Sequence, residues 1–413
     1  MITHSRHPSG GGRLLALALA SYFFVFFHRA APSTLAHVLK SDFHLTNTEF
    51  GWLGSVYFYI YALMQLPTGI WVDRHGMKYT LIGGSLLSGL GAILFALSTT
   101  FFEAIITRAV LGLGVSVILI SCLRLISVIY SPDRFSTYAG MVVAIGTLGA
   151  ICAGLPLDFL LKHTSWRTIH WAIALICIAL AGCLAYTFNT LPTSTAPVQK
   201  PGSSWKTQLQ SVIRNPQTWC AFGVNFFVGS TVFGFSGLWA VRYLVTTFGA
   251  NTFQATLALS CFFCGFGLGS VLMGMFSTHL GRRKIPMYIS AFGSIILTSL
   301  LAFGDPYPIT VYDVIYFLLG FFGTSFSIAW ASSKENNSPD LAGMATSTAN
   351  IGSFFGTALM QPLMGWLLDH VGIHLSRPFA PIFWAMLIAH LIGLACIAGI
   401  RETYCRNQTV PSS

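Results

Sequence analysis

Long apolar stretches alternate with short polar punctuation along almost the whole chain. The stretches fall at approximately 14–39, 48–71, 78–98, 103–130, 136–161 and 167–189, then 217–246, 253–278, 285–304, 309–332, 340–368 and 378–400. Each is long enough to cross hydrocarbon, for which a helix needs about 20 mostly apolar residues. Inside lipid every backbone polar group must be paired within the protein, so these runs predict helices. The alternating pattern of a membrane β-barrel, in segments of about 10 residues, is absent. The chain is therefore expected to be an all-α integral membrane protein with twelve transmembrane helices. Its longest polar connection, 190–216, carries Pro192, Pro197, Pro201 and Gly202 and divides six spans (14–189) from six more (217–400). Residues 1–13 and 401–413 are short polar tails.

The punctuation repeats. Gly69-Ile-Trp-Val-Asp73-Arg74-His-Gly76-Met-Lys78 returns in degraded form as Gly274-Met-Phe-Ser-Thr278-His279-Leu-Gly281-Arg282-Arg283, 205 residues later. Ser131-Pro132-Asp133 followed by Gly140 likewise returns as Ser338-Pro339-Asp340 followed by Gly343, 203 residues later. Two junctions repeated at one spacing imply two bundles of six helices related by pseudo-two-fold symmetry, one known transporter plan. Locally, Gly76 suits a turn with positive φ, and Gly69 suits close approach of neighbouring helices.

Composition agrees. Charged residues make up 8% of the chain against about 25% in soluble domains, and mean hydropathy is +0.69. The net charge of +10 would suit nucleic acid if it were clustered, but fourteen of the 22 Lys and Arg fall in alternate connections and tails. That is the positive-inside pattern, which places both termini in the cytosol and makes the lipid bilayer, not nucleic acid, the partner. Arg13 with the following Leu/Ala run resembles a cleavable leader, but the run continues unbroken through Phe27 and reads as the first span. The nine cysteines form no extracellular framework, and Cys261 and Cys264 read as buried structural thiols. No metal-ligand cluster, nucleophile–base pair or phosphate-cradling Gly-rich motif occurs, so neither an enzyme, a cofactor nor a metal is expected.

An ionisable residue within a span is costly and marks function by default. Arg29 and Arg124 lie deep in spans 1 and 4, with no Asp or Glu at comparable depth. Unpaired guanidinium groups attract carboxylate or phosphate, which arginine binds at two points. Alternatives stay open: both arginines can snorkel or pair with carbonyls, Arg108 fits helix packing, and Arg242 fits the outer interface. Polar stripes offer further lining. Tyr57, Tyr61 and Gln65 share one face of span 2; Thr346, Asn350, Ser353, Thr357 and Gln361 share one face of span 11. Such stripes serve equally as hydrogen-bonding glue between helices. His28, beside Arg29, is the candidate proton-coupling group because its ordinary pKa lies near 6.5.

The chain resembles the major facilitator superfamily over essentially its whole length. The resemblance is carried by Gly69-x3-Asp73-Arg74-x-Gly76-x-Lys78 and by Arg108-Ala-Val-Leu-Gly112-Leu-Gly114. It implies a gating latch of Asp73, Arg74 and Lys78 with Gly69 and Gly76, and a second copy of Gly274, Gly281, Arg282 and Arg283. That second latch is expected to be weaker, because Thr278 replaces the acid. The 16-residue spacing of Arg108 and Arg124, together with Arg29, is similar to the anion:cation symporter branch. His28 stands where that branch often has Asp, the branch's span-4 carboxylate is missing, and the Gly-Pro pair of the antiporter signature is absent. The resemblance implies a monomeric secondary transporter working by alternating access on a small organic anion, with a proton as candidate co-substrate. Its substrate site would comprise Arg29, Arg124, Tyr57, Tyr61, Gln65, Asn350 and Gln361. Two rivals remain: an amino-acid or dipeptide transporter, and a non-transporting membrane sensor.

Overall fold

The structure is a computed structural model that describes residues 11–190, 205–304 and 307–409, without the side chains at 70, 73, 74, 132, 133, 135 and 136. It is mostly helical, with no strand among the described residues. Among the described residues, eleven helical stretches are long and apolar enough to cross a membrane: Gly11–Asp42, His75–Leu97, Phe101–Ile129, Thr137–Leu161, Trp166–Thr190, Pro216–Phe248, Thr252–Leu280, Lys284–Phe303, Ile309–Glu335, Pro339–His374 and Ala380–Gly399. These are spans 1, 3–6 and 7–12. Span 2 is the first of the two helices within Asn47–Leu97, which break at Gly76. Its tyrosines and Gln65 make it the least apolar of the twelve.

Helix starts follow from short sequence signals. Thr46 with Glu49, Thr100 with Glu103 and Asn251 with Gln254 each form a reciprocal capping box at the head of spans 2, 4 and 8. The first punctuating motif is a tight break between two helices, spans 2 and 3, at Gly76. Gly76 takes φ +79, the left-handed region expected of it, and Gly281 takes φ +64 at the end of span 8. Between the halves, Trp205–Arg214 forms a helix that the polar composition did not announce; residues 191–204 of that connection lie outside the described ones.

Leu63, Phe102, Tyr79 and Leu175 point outward with at least 63% exposure. Exposed apolar side chains of this size are what a hydrocarbon solvent permits and water does not. Cys264 belongs to this outer surface and Cys261 is only partly buried, which corrects their reading as buried thiols.

The two bundles meet along two seams. Spans 2 and 11 run antiparallel in close register. A Cβ on Gly51 would come within 2.5 Å of the Pro362 Cα, one on Gly54 within 2.6 Å of the Gln361 amide oxygen, and Gly365 lies against the Asn47 carbonyl. Spans 5 and 8 form the other seam. The Ser260 hydroxyl accepts from the Leu155 N–H at 3.0 Å, where span 5 breaks at Gly154. Gly267 packs against Thr147 lower down. These contacts lie toward the end of the molecule away from the termini, here the far end. At the terminal end, Gly69, Gly140, Gly274 and Gly343 each face open space within 4 Å. Gly69, of which close helix approach was expected, thus has no described neighbour within 4 Å of a Cβ placed there.

Candidate functional site

Span 1 carries its arginine into the interface between the bundles. Arg29 is 7% exposed, and its guanidinium is ringed by aromatic faces from both halves. The carbon lies 4.4 Å from the Phe26 centroid, 4.9 Å from Phe354, 5.3 Å from Tyr61 and 5.9 Å from Phe58. Phe26 sits on the same helix one turn back, Phe58 and Tyr61 on span 2, and Phe354 on span 11. Each cation–π contact contributes about 0.5–2 kcal/mol, more when desolvated. Rings do not neutralise the charge, and the Arg29 Nε has no hydrogen-bond partner. The result is a buried cation held by aromatic faces, with the Tyr57 and Tyr61 hydroxyls interacting with its guanidinium and no carboxylate paired to it among the described residues.

The polar stripes divide. Tyr61 stacks on Phe354 with ring centroids 4.2 Å apart, and Gln65 accepts from the Asn350 amide at 3.2 Å across the bundle interface. Tyr57 instead donates its hydroxyl to the Val25 carbonyl at 2.9 Å, fixing span 2 to span 1. On span 11, Thr357 bonds to the Ser353 and Ser230 carbonyls and serves the C-terminal bundle. Gln361 is 1% exposed, and neither its amide oxygen nor its nitrogen has a partner. It lies against Gly54, Leu238 and Gly237, where a Cβ on Gly237 would also meet the Arg29 carbonyl at 3.6 Å. Gln361 thus closes the layer above the Arg29 cage on its far-end side.

His28 turns away from this interface into the N-terminal bundle. Its ring lies 6.2 Å from that of His170, and both its nitrogens lack partners. Arg108 occupies the same interior, donating from Nε to the Leu53 carbonyl at 2.8 Å beneath the Tyr57 and Phe95 rings. This is the packing role its sequence position suggested. Arg124 does not join Arg29. Spans 1 and 4 run antiparallel, with Gly11 against Ile129 and Ala18 bonded to Cys122. That register puts Arg124 level with Ala16, roughly 20 Å from Arg29 along the axis at 1.5 Å per residue. The two do not form one clamp at backbone level; Arg124 sits partly exposed toward the terminal end.

Of the first gating motif, the side chains of Asp73 and Arg74 lie outside the described residues. Lys78 donates to Asn189 at 2.7 Å, tying spans 3 and 6. In the second copy the basic residues are held within their own bundle. Arg283 makes a two-point ion pair with Glu335, at 2.6 and 3.1 Å, and Thr403 donates to the same carboxylate. Glu402, just beyond span 12, accepts from the Arg283 and Lys284 N–H groups at 2.7 and 3.0 Å. Partial burial pushes the Glu402 carboxyl up, but these backbone bonds outweigh it and hold it below its ordinary value. Arg282 lies over the Tyr404 ring. Acids from span 10 and the tail stand in for the one missing at Thr278.

A family model described as the Major Facilitator Superfamily matches residues 18–243 and again 221–404. The chain belongs to this superfamily. Its double match is the duplication seen in the repeated motifs. Among curated relatives, a probable hexose phosphate transport protein of Chlamydia trachomatis is 22% identical, over 92% of this chain and 89% of that protein. The cis,cis-muconate transport protein of Acinetobacter baylyi is 25% identical over 82% and 83%. The membrane sensor protein UhpC of Salmonella typhimurium is 24% identical over 86% and 83%. Solved structures share the fold: a D-xylose-proton symporter superposes with TM-score 0.72 at 14% identity, covering 94% and 98%. A bacterial homologue of the lysosomal transporter Spinster, in an inward-facing and unoccupied conformation, gives 0.70 at 15% identity, covering 94% of each chain. The protein is a multi-pass membrane protein of the superfamily's two-bundle fold.

Sequence reading of this superfamily member missed the residues that make the cage. Phe26, Phe58 and Phe354 are three of 34 phenylalanines; only the i, i+4 step from Asn350 to Phe354 hinted that one of them faces span 2. Also unforeseen were two π-helical turns in span 7, Asn225–Gly229 and Phe235–Trp239. The second brings the Trp239 indole to the Gln361 carbonyl at 3.3 Å. Such turns recur at functional sites, and no residue pattern in the segment announces them.

Proposed function

We propose that the protein is a secondary transporter of a small organic anion, carried by alternating access with both termini cytosolic. The observation that carries this reading is Arg29: a buried guanidinium at the bundle interface, capped by rings from both halves and, among the described residues, without a counter-ion. An anion approaching in the plane of the guanidinium accepts two N–H bonds while the rings cover the two faces. Gln361, with donor and acceptor both free, then meets a hydroxyl or carbonyl of the solute, and Gln65 with Asn350 bounds the site on the terminal side. Arg124, nearer the open end, draws the anion inward by charge. Two relatives bear on the class: one carries the name of a hexose phosphate transport protein and another that of a muconate transport protein, and both solutes are anions. Gradient coupling falls to His28, whose unpartnered nitrogens beside His170 leave a proton site open in the N-terminal bundle.

Uptake into proteoliposomes tests the reading. Arg29→Ala abolishes anion uptake and Arg124→Ala raises KM with kcat retained; undiminished transport in both variants overturns it. His28→Gln is expected to leave uptake running but indifferent to an imposed pH gradient. A zwitterionic amino acid or dipeptide also offers a carboxylate, and competition by short peptides against organic acids separates that rival. The relative that is a membrane sensor keeps the sensor reading in view; net solute accumulation excludes it.

A further inference from the structure

The far-end seam holds one charged group in a setting that packing alone does not require. Asp369, near the end of span 11, accepts four hydrogen bonds from the opposite bundle at the head of span 2. They come from the Asn47 N–H at 3.2 Å and its amide nitrogen at 2.6 Å, and from the Thr48 N–H and hydroxyl, both at 2.7 Å. A helix leaves its first four N–H groups without internal partners. Thr46, the local cap, satisfies only the Glu49 N–H. The carboxylate of the other bundle serves the Asn47 and Thr48 groups, where its charge also meets the positive end of the span 2 dipole.

Two further observations mark this as a built contact. Glycine stands on each side of it: Gly365 lies against the Asn47 carbonyl and Gly51 against Pro362, so the helices approach more closely than any Cβ permits. Cations flank it from two other elements. Lys40 at the end of span 1 donates to the Asn47 amide oxygen, and Arg242 on span 7 interacts electrostatically with the Asp369 carboxylate. Glu49 on span 2 is the remaining charged neighbour, acting on Lys40.

We propose that Asp369 is the latch that holds the far end closed, capping span 2 across the bundle interface and releasing it once per transport cycle. Every group in the contact is one that water solvates when the bundles part. The latch therefore biases the equilibrium without locking it. On the opposite seam the Ser260 hydroxyl makes only uncharged bonds to the broken backbone of span 5, accepting from the Leu155 N–H and donating to the Ile151 carbonyl at 3.4 Å, so among the described residues the charged contact lies on spans 2 and 11. Asp369 acts through the gate and touches no solute. The inference rests on alternating access, not on which solute is carried.

The test reads conformation rather than uptake, so it fails independently of the anion assignment. With the nine cysteines replaced, spin labels at Ser41 and Ile373 report the far-end separation, and labels at His75 and His279 report the terminal end. Asp369→Ala and Asp369→Asn should each lengthen the first distance and shorten the second. The ratio of far-open to far-closed molecules should rise roughly tenfold, a shift typical of removing one state's differential contacts. Thr48→Val, which removes one donor, should move both distances the same way by less. Unchanged distances in both Asp369 variants overturn the proposal. So does lengthening at both ends together, which is loosening and not rocking.

Discussion

At the residue scale the site turns on one cation and what surrounds it. Arginine and lysine are not interchangeable here, because only the planar guanidinium stacks between rings and offers two parallel donors. Arg29→Lys should therefore retain folding yet raise the KM for the anion about tenfold, an effect worth about 1.4 kcal/mol, measured as initial uptake rates over a concentration series. Phe354→Leu keeps the volume but removes one cation–π face, a loss of about 0.5–2 kcal/mol. Its KM should rise only a few-fold, and thermal melting should stay close to wild type. The arginine was legible in the sequence because a charge in an apolar run is conspicuous. Its cage was not, since phenylalanine in a membrane span has no reason to stand out until the fold decides which ring faces inward. Asp369 was hidden for the opposite reason. Near the mouth of a span an acid is ordinary, and only the register of spans 2 and 11 aims it at another helix.

At the element scale the spans were legible because hydrocarbon demands length and apolarity, two properties that a sequence displays directly. What they did between their ends was less so. The helical segments on either side of the first motif meet with almost no loop between them, and the break falls at Gly76, where the turn was expected. Gly76 pairs φ +79 with ψ +158, a region nearly closed to any residue with a Cβ, so Gly76→Val should lower the melting temperature in detergent, by a strain of about 1–3 kcal/mol. The tail was read as a short polar end, but Glu402 caps span 9. Backbone N–H bonds depress its folded pKa. The stability it supplies is therefore present above the unfolded carboxylate value near 4.3 and is lost as pH falls through the lower folded value. Glu402→Gln should melt earlier than wild type at pH 7, with the gap closing below about pH 4. A gap that persists in acid would remove the carboxylate from the account. Gly51 offers a steric counterpart: Gly51→Leu drives a side chain into Pro362 and should wedge the far-end seam apart.

At the scale of the whole molecule, the repeat proclaimed two like bundles, and the fold contains them. The proposed site and latch break the symmetry. Arg29, His28 and Arg124 belong to the N-terminal half, while Phe354, Gln361 and Asp369 reach across from span 11 of the other. Each half is thus incomplete at the interface, as expected of a site that alternating access must open from either side. The far end is zipped by Asp369, Gly51, Gly365 and Ser260, while four glycines at the terminal end face open space. The most direct test of the central claim, that this interface holds an organic anion through Arg29, is ligand-dependent melting of the purified protein against a panel of sugar phosphates, dicarboxylates, amino acids, dipeptides and neutral sugars. The account predicts that an anion raises the melting temperature of the wild type and leaves that of Arg29→Gln unmoved. Stabilisation by neutral solutes alone, or equal stabilisation of Arg29→Gln by the same anion, would contradict it.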